Sequence, residues 1–195
     1  MIRRNKAEAT RHLLLTVHGN GAEAIQAIGS EIAASLSDFH ATSGSDIIRR
    51  LSDNCKLKYY NVLKKSVKKV LRAFMNLGKG LLPSDETLQC MEEYVCQFYL
   101  PGTKIKELGK LRWHLFKRSQ DKAEKLPPAL EALKYYFSRA HYQTMIWLTA
   151  PKAKPELPWS DEYGWIKYVQ RYVSIIVKKA PAPEVIGIIK CACVS

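Results

Sequence analysis

Apolar side chains recur at three- and four-residue spacing along most of this chain, which predicts helices rather than strands. Residues 6–17 run from polar to Leu13-Leu14-Leu15, a stretch compatible with helix or strand, and Gly19 and Gly21 around Asn20 break it. Ile25, Ile28, Ile32 and Leu36 then predict an amphipathic helix over 21–36 in spite of Gly29, followed by a loop of small polar residues over 37–45. Asp46 stands where a helix N-cap belongs, ahead of Ile47, Ile48 and Leu51. The strongest periodicity lies in 56–77, where Leu57, Tyr60, Leu63, Val67, Val70, Leu71, Phe74 and Leu77 form one apolar stripe. Gly78 is placed to end that helix in a left-handed conformation.

The next helix starts at Ser84, a side chain able to cap free amides, with Asp85 and Glu86 favourably set in its positive first turn. Leu88, Met91, Val95 and Phe98 are its expected buried stripe, and Pro101-Gly102 stops it. Residues 104–118 read as a basic helix with Leu108, Leu111, Leu115 and Phe116 inward, weakened by Gly109. After a polar connection over 121–125, Pro127-Pro128 opens a long helix to about Thr149, with Leu130, Leu133, Phe137, Ala140, Met145 and Leu148 available for burial. Pro151, Pro155 and Pro158 end the regular region, since none can donate to a helix or a ladder. Beyond them the β-branched run 172–177 is the one expected strand, and a short helix is expected after Pro183. No internal repeat is present. The expected fold is mainly α, a compact multi-helix domain over 21–150, with an N-terminal segment over 1–20 and a Pro-rich, irregular tail over 151–195.

Charge changes this otherwise ordinary picture. The 195 residues contain 31 Lys and Arg against 18 Asp and Glu, a net +13 that attracts polyanions. An apolar fraction of 47% excludes a disordered chain, and no segment reaches the roughly 18 consecutive apolar residues of a membrane span. Five Cys without framework spacing fit reduced thiols, and no leader pattern follows the basic start, so a nuclear or cytoplasmic location is expected, with no membrane partner.

The cations are not spread evenly. Lys56, Lys58, Lys64, Lys65, Lys68, Lys69 and Arg72 occur within 17 residues with no acid between them, whereas ordinary surface helices mix signs to form pairs. Such a ridge has two readings: a solvated face whose lysine stems cover apolar neighbours, or a surface that tracks phosphates. Lys64, Lys65, Lys68, Lys69 and Arg72 lead the second reading, supported by Lys104, Lys106, Lys110, Arg112, Lys117 and Arg118. Lysines position a nucleic acid rather than read its bases, so nonspecific contact with DNA or RNA is the expectation. Trp113, Tyr135, Tyr136, Tyr142 and Trp147 are either stacking platforms or core, and helical spacing favours core.

Catalytic signatures are missing. His12, His18, His40, His114 and His141 are dispersed, and no zinc, nucleophile-elbow, phosphate-loop or dinucleotide pattern occurs, so neither an enzyme nor a cofactor is expected.

Several stretches together resemble a group of transposon-associated metazoan proteins: FHATSGSD at 39–46, LPSDETLQCMEEYVCQFYLPGTKIKELGKLRWHLFKRSQDKAEKLPP at 82–128, RAHYQTMIW at 139–147, EYGW at 162–165 and APAPEVIGIIKCAC at 180–193. In that group the segment like FHATSGSD closes a region similar to PIN-like and flap-endonuclease domains, where Asp46 would belong to a metal-binding carboxylate cluster. Two-metal phosphodiester cleavage needs several acids. Here Glu8 alone remains of one acidic stretch, and the portion carrying the next is missing between about Gly21 and Gly29. Longer members continue from the match to Cys191 and Cys193 into a tesmin-type CXC zinc-binding segment, and the chain is expected to hold only the first two ligands. The resemblance implies a non-catalytic, transposon-derived domain. A metal-dependent nuclease remnant and a helical protein-interaction module are the alternatives.

Overall fold

The computed structural model describes residues 28–45, 48, 56–118 and 126–175, which hold six α-helices and a two-stranded sheet. The helices are α1 (Ser30–Thr42), α2 (Lys56–Lys64), α3 (Lys68–Met75), α4 (Asp85–Tyr99), α5 (Leu108–Arg118) and α6 (Leu130–Thr149). The described protein is mainly α. Helix α4 lies at the centre, packed against α2, α3, α5 and α6, while α1 bridges α3 and α6. Its Met91, Tyr94, Val95 and Phe98 are buried, with Leu88 at the margin of the core. The Phe74 ring meets Tyr94 edge-on at 5.0 Å, and Tyr59 stacks on Phe98 at 3.8 Å. The Ser84 hydroxyl accepts from the Thr87 amide at 3.2 Å, the expected N-cap.

Helix α1 departs from the expected boundaries. Gly29 has φ 85° at its start, and the helix runs through the stretch expected as a loop, as far as Thr42. Burial explains this: Phe39 and Ala41 are core residues, and the Ser35 and Thr42 hydroxyls donate within the helix, to the Ile32 and Phe39 carbonyls at 2.8 and 3.0 Å. Asp46, residues 21–27, the segment after Pro183 and Cys191 and Cys193 lie outside the described residues.

The single helix expected over 56–77 is two helices. The Lys65 and Ser66 amides bond to the Val62 and Leu63 carbonyls three residues back, and the Ser66 hydroxyl donates to Val62 O at 2.9 Å. Val67 then turns extended and α3 starts anew. This local competition for backbone carbonyls, invisible to a count of apolar spacings, rephases the stripe. Leu63, Val70, Leu71, Phe74 and Leu77 are buried, but Leu57 is 64% and Val67 56% exposed.

Helix α5 starts at Leu108 rather than 104. The Thr103 hydroxyl accepts the Ile105 amide, and Glu92 of α4 accepts the Leu108 amide at 2.6 Å, so an acid from a neighbouring helix caps α5. Leu108 and Leu111 point inward as expected, but Phe116 does not. On α6, Leu133, Phe137 and Ala140 are buried, while Leu130 and Leu148 are exposed and Arg139, His141, Gln143 and Thr144 take buried places instead.

Past the prolines the chain returns to the helices. A 3₁₀ turn (Ser160–Tyr163) buries the Tyr163 ring against His141 and Tyr142, and its hydroxyl donates to the Leu81 carbonyl. The expected strand appears in part, its residues 172–174 within β2 (Arg171–Ser174), antiparallel to an unexpected β1 (Trp165–Tyr168) with Ile166 opposite Val173; residues 176 and 177 lie outside the described residues. Buried Arg139 donates to the Gly164 and Ile175 carbonyls at 3.1 and 2.8 Å, fixing both ends of the hairpin. No helix among the described residues is long and apolar enough to cross a membrane.

Candidate nucleic-acid interface

The cations of α2, α3 and the α4–α5 connection come from segments some forty residues apart in sequence. The fold brings part of them together at Glu93, midway along α4. Lys69 Nζ lies 2.5 Å and Lys106 Nζ 3.2 Å from the Glu93 carboxylate. Partial burial works to raise the Glu93 pKa, but hydrogen bonds from Lys69 and Lys106 hold it below the usual carboxylate range. Lys65 stands in the same place: with Ser66, Val67 and Glu93 it lines a cleft of about 340 Å³ between the α2–α3 turn, α4 and the loop at Pro101-Gly102. Gln97 braces that loop, donating to the Thr103 carbonyl at 2.6 Å and accepting the Gly102 amide at 3.0 Å.

The acid-free run is therefore acid-free only along the chain. Glu93 neutralises part of Lys69 and Lys106, and Glu31 of α1 lies 3.7 Å from Lys68. Sequence spacing could not show these partners, because both acids approach through tertiary packing. Exposed pairs of this kind contribute about 0.2–1 kcal/mol and leave the ammonium groups accessible to a polyanion. Lys64, Lys65, Arg72, Lys104, Lys117 and Arg118 have no carboxylate within ion-pair distance among the described residues, and all six are exposed. Lys64 lies over the Tyr60 ring at 5.1 Å, and Lys117 over the Trp113 ring at 5.0 Å. Lys110 pairs with Glu107 at 2.5 Å. Arg112 is half-buried and donates to the Pro127 carbonyl, a bond that ties α5 to the approach of α6 and uses guanidinium capacity otherwise open to phosphate. Helix α3 begins without an acid in its first turn and without a side-chain cap, so its free amides add positive potential beside Lys68 and Lys69.

The aromatic residues divide. Tyr136 is buried, with its hydroxyl on the Thr42 carbonyl, and Tyr142 donates to the Pro158 carbonyl at 3.1 Å. Trp147 stacks on His40 at 5.6 Å. These three serve packing, and Tyr135 is half-buried against Gly164. Trp113 is different: it is 59% exposed on α5.

Among the described residues no group of three or more His, Cys, Asp or Glu side chains is gathered as metal ligands. Cys90 and Cys96 are free thiols, and burial raises both pKa values, that of Cys96 to about 12. His141, one of the dispersed histidines, proves to be an interior latch: its Nδ1 accepts the Gly78 amide at 3.0 Å and Nε2 faces the Gly80 carbonyl at 3.3 Å. Comparison with protein-family models, curated proteins and solved structures finds no match to this chain.

Proposed function

We propose that this chain is a non-catalytic, transposon-derived basic helical domain that binds DNA or RNA nonspecifically through phosphate contacts. The observation that carries the reading is the meeting at Glu93 of Lys69 and Lys106, with Lys65 in the same cleft. Folding thereby combines two basic segments into one surface. A surface held on ordered helices binds a polyanion with less loss of conformational freedom than cations on a mobile tail. The transposon-derived origin rests on the sequence resemblance.

Lys64→Gln, Lys65→Gln and Arg72→Gln together test this without disturbing the paired lysines. Each lost phosphate contact should reduce the slope of log affinity against log salt by about 0.9, so the triple variant should bind random duplex more weakly with a slope smaller by up to about 3. An unaltered slope refutes the phosphate reading.

The hairpin favours a second reading. Ile166, Tyr168 and Val173 are exposed on one face of the two-stranded sheet, next to exposed Val169 in its turn, an apolar surface of the kind that marks protein interaction sites. If the chain is a protein-interaction module, Ile166→Thr with Val173→Thr should abolish partner capture while leaving nucleic-acid binding intact.

A further inference from the structure

We propose that α5 is a stacking platform for the unpaired bases of single-stranded nucleic acid, with Trp113 and Phe116 as the contact surface. This rests on the phosphate-binding reading and narrows its substrate class. Trp113 and Phe116 are one helical turn apart, 59% and 41% exposed, with their rings 6.0 Å apart and inclined by 20°. Two large aromatic side chains thus stand in solvent side by side. Leu108 and Leu111, which justify the helix as a core element, are buried on another face, so core packing does not account for the pair.

The surroundings select the occupant. The helix itself has no acid and exposes Lys110, Lys117 and Arg118; Lys110 is shared with Glu107 just before the helix, and Arg112 is half-buried on the Pro127 carbonyl. Lys110 precedes Trp113 by three residues and Lys117 follows it by four, which places a cation on either side of Trp113 along one ridge, with Phe116 beside it. A strand laid along that ridge meets positive charge, the Trp113 ring with Phe116 beside it, and positive charge again, an arrangement matched to a base held between phosphates. Lys117 rests over the Trp113 ring at 5.0 Å. Being exposed, it can give up that position to a base and move to the adjoining phosphate at small cost. A duplex does not fit, because its bases are already stacked on one another and offer no free face. Nor does a lipid surface: an interfacial helix needs a continuous apolar face, and here Leu108 and Leu111 are committed to the protein's own core.

The test uses the full chain with fluorescent oligothymidylate, the same backbone without bases, and a random duplex, each titrated at two salt concentrations. Trp113→Ala should weaken oligothymidylate binding by roughly 5- to 150-fold, the range for loss of one stacked base, and leave duplex affinity and its salt slope unaltered. Trp113→Phe should recover most of the loss, and the base-free strand should bind wild type and Trp113→Ala alike. Equal oligothymidylate affinity for wild type and Trp113→Ala overturns the stacking platform while duplex binding still upholds the phosphate reading. An equal loss on duplex and single strand also overturns it, because then Trp113 acts only through the helix. Binding to anionic phosphatidylserine vesicles that Trp113→Ala abolishes, with oligothymidylate unaffected, assigns the pair to a membrane and overturns it too. Absence of binding to every nucleic acid removes both readings together.

Discussion

Asp38 is a core residue that carries an ionisable group. It is buried on α1, and burial pushes its carboxyl up to about 7 against the weaker opposing effects of the Thr144 hydroxyl and the Lys79 ammonium. The ordinary value is 3.8, so between these two values the folded protein keeps a proton that the unfolded chain has released. Stability from this group is therefore complete below about pH 4 and is lost as pH rises through about 7. Asp38→Asn retains the neutral shape and removes the titration. Thermal unfolding should show the variant close to wild type at about pH 4 and more stable by about 2 to 4 kcal/mol at about pH 8. A stability difference that does not change with pH would contradict the assignment. His141 works in the opposite sense, since accepting the Gly78 amide requires an unprotonated Nδ1, and burial lowers its pKa below 6.5. Its contribution is present above 6.5 and lost as pH falls through the lower folded value, and it acts on both proteins equally, so the comparison isolates Asp38.

The turn that joins α3 to α4 shows what a single position asks of an element. Gly78 has φ +75°, and a Cβ there would meet Thr144 Cγ2 at 2.7 Å and Thr144 Cβ at 2.9 Å on α6. The turn cannot withdraw, because the Gly78 amide is held by His141 and the Leu81 carbonyl by Tyr163. Gly80 has the same φ with nothing within 4 Å of its Cβ position. Gly80→Ala should thus cost only the left-handed strain, roughly 1 to 2 kcal/mol, and Gly78→Ala a further 1 to 3 kcal/mol for the clash, read from urea midpoints at equal m. Equal costs would show that α6 yields. The left-handed Gly78 and the Ser84 cap were legible in the chain from residue type, although the helix before Gly78 stops earlier than expected, at Met75 with Asn76 as its cap. So was the burial of Met91, Val95 and Phe98. The break at residues 65–67 was not, since a helical stripe and a serine that bends it look alike in a count of apolar spacings. Nor was the extension of α1 to Thr42, which Phe39 secures by reaching Phe74, 6.2 Å away on another helix. On the basic surface the cations were legible by type, but their acids were not: Glu93 and Glu31 arrive from other helices, and the exposure of Trp113 depends on which face of α5 the core takes.

Over the whole molecule, a net charge of +13 would by itself predict only diffuse attraction to any polyanion. What the fold adds is an arrangement in which one carboxylate governs two of the cations. Glu93 pairs with Lys69 and Lys106, and it is the acid that lines the cleft beside Lys65. Glu93→Gln keeps a hydrogen-bond acceptor for both amines while removing the charge, raising the formal net charge from +13 to +14. Two consequences then separate. Stability should fall by roughly 1 kcal/mol, because Lys69 and Lys106 are left facing each other without a counter-charge. Affinity for random duplex should rise severalfold at low salt, with a slope steeper by about 1 to 2, because ammonium groups released from Glu93 are free to displace counterions from phosphates. A purely structural role for Glu93 gives the first effect without the second. Salt-dependent anisotropy on the purified variant distinguishes the two. A domain that binds phosphates here must bind more tightly when its own competing carboxylate is neutralised, even as it becomes less stable.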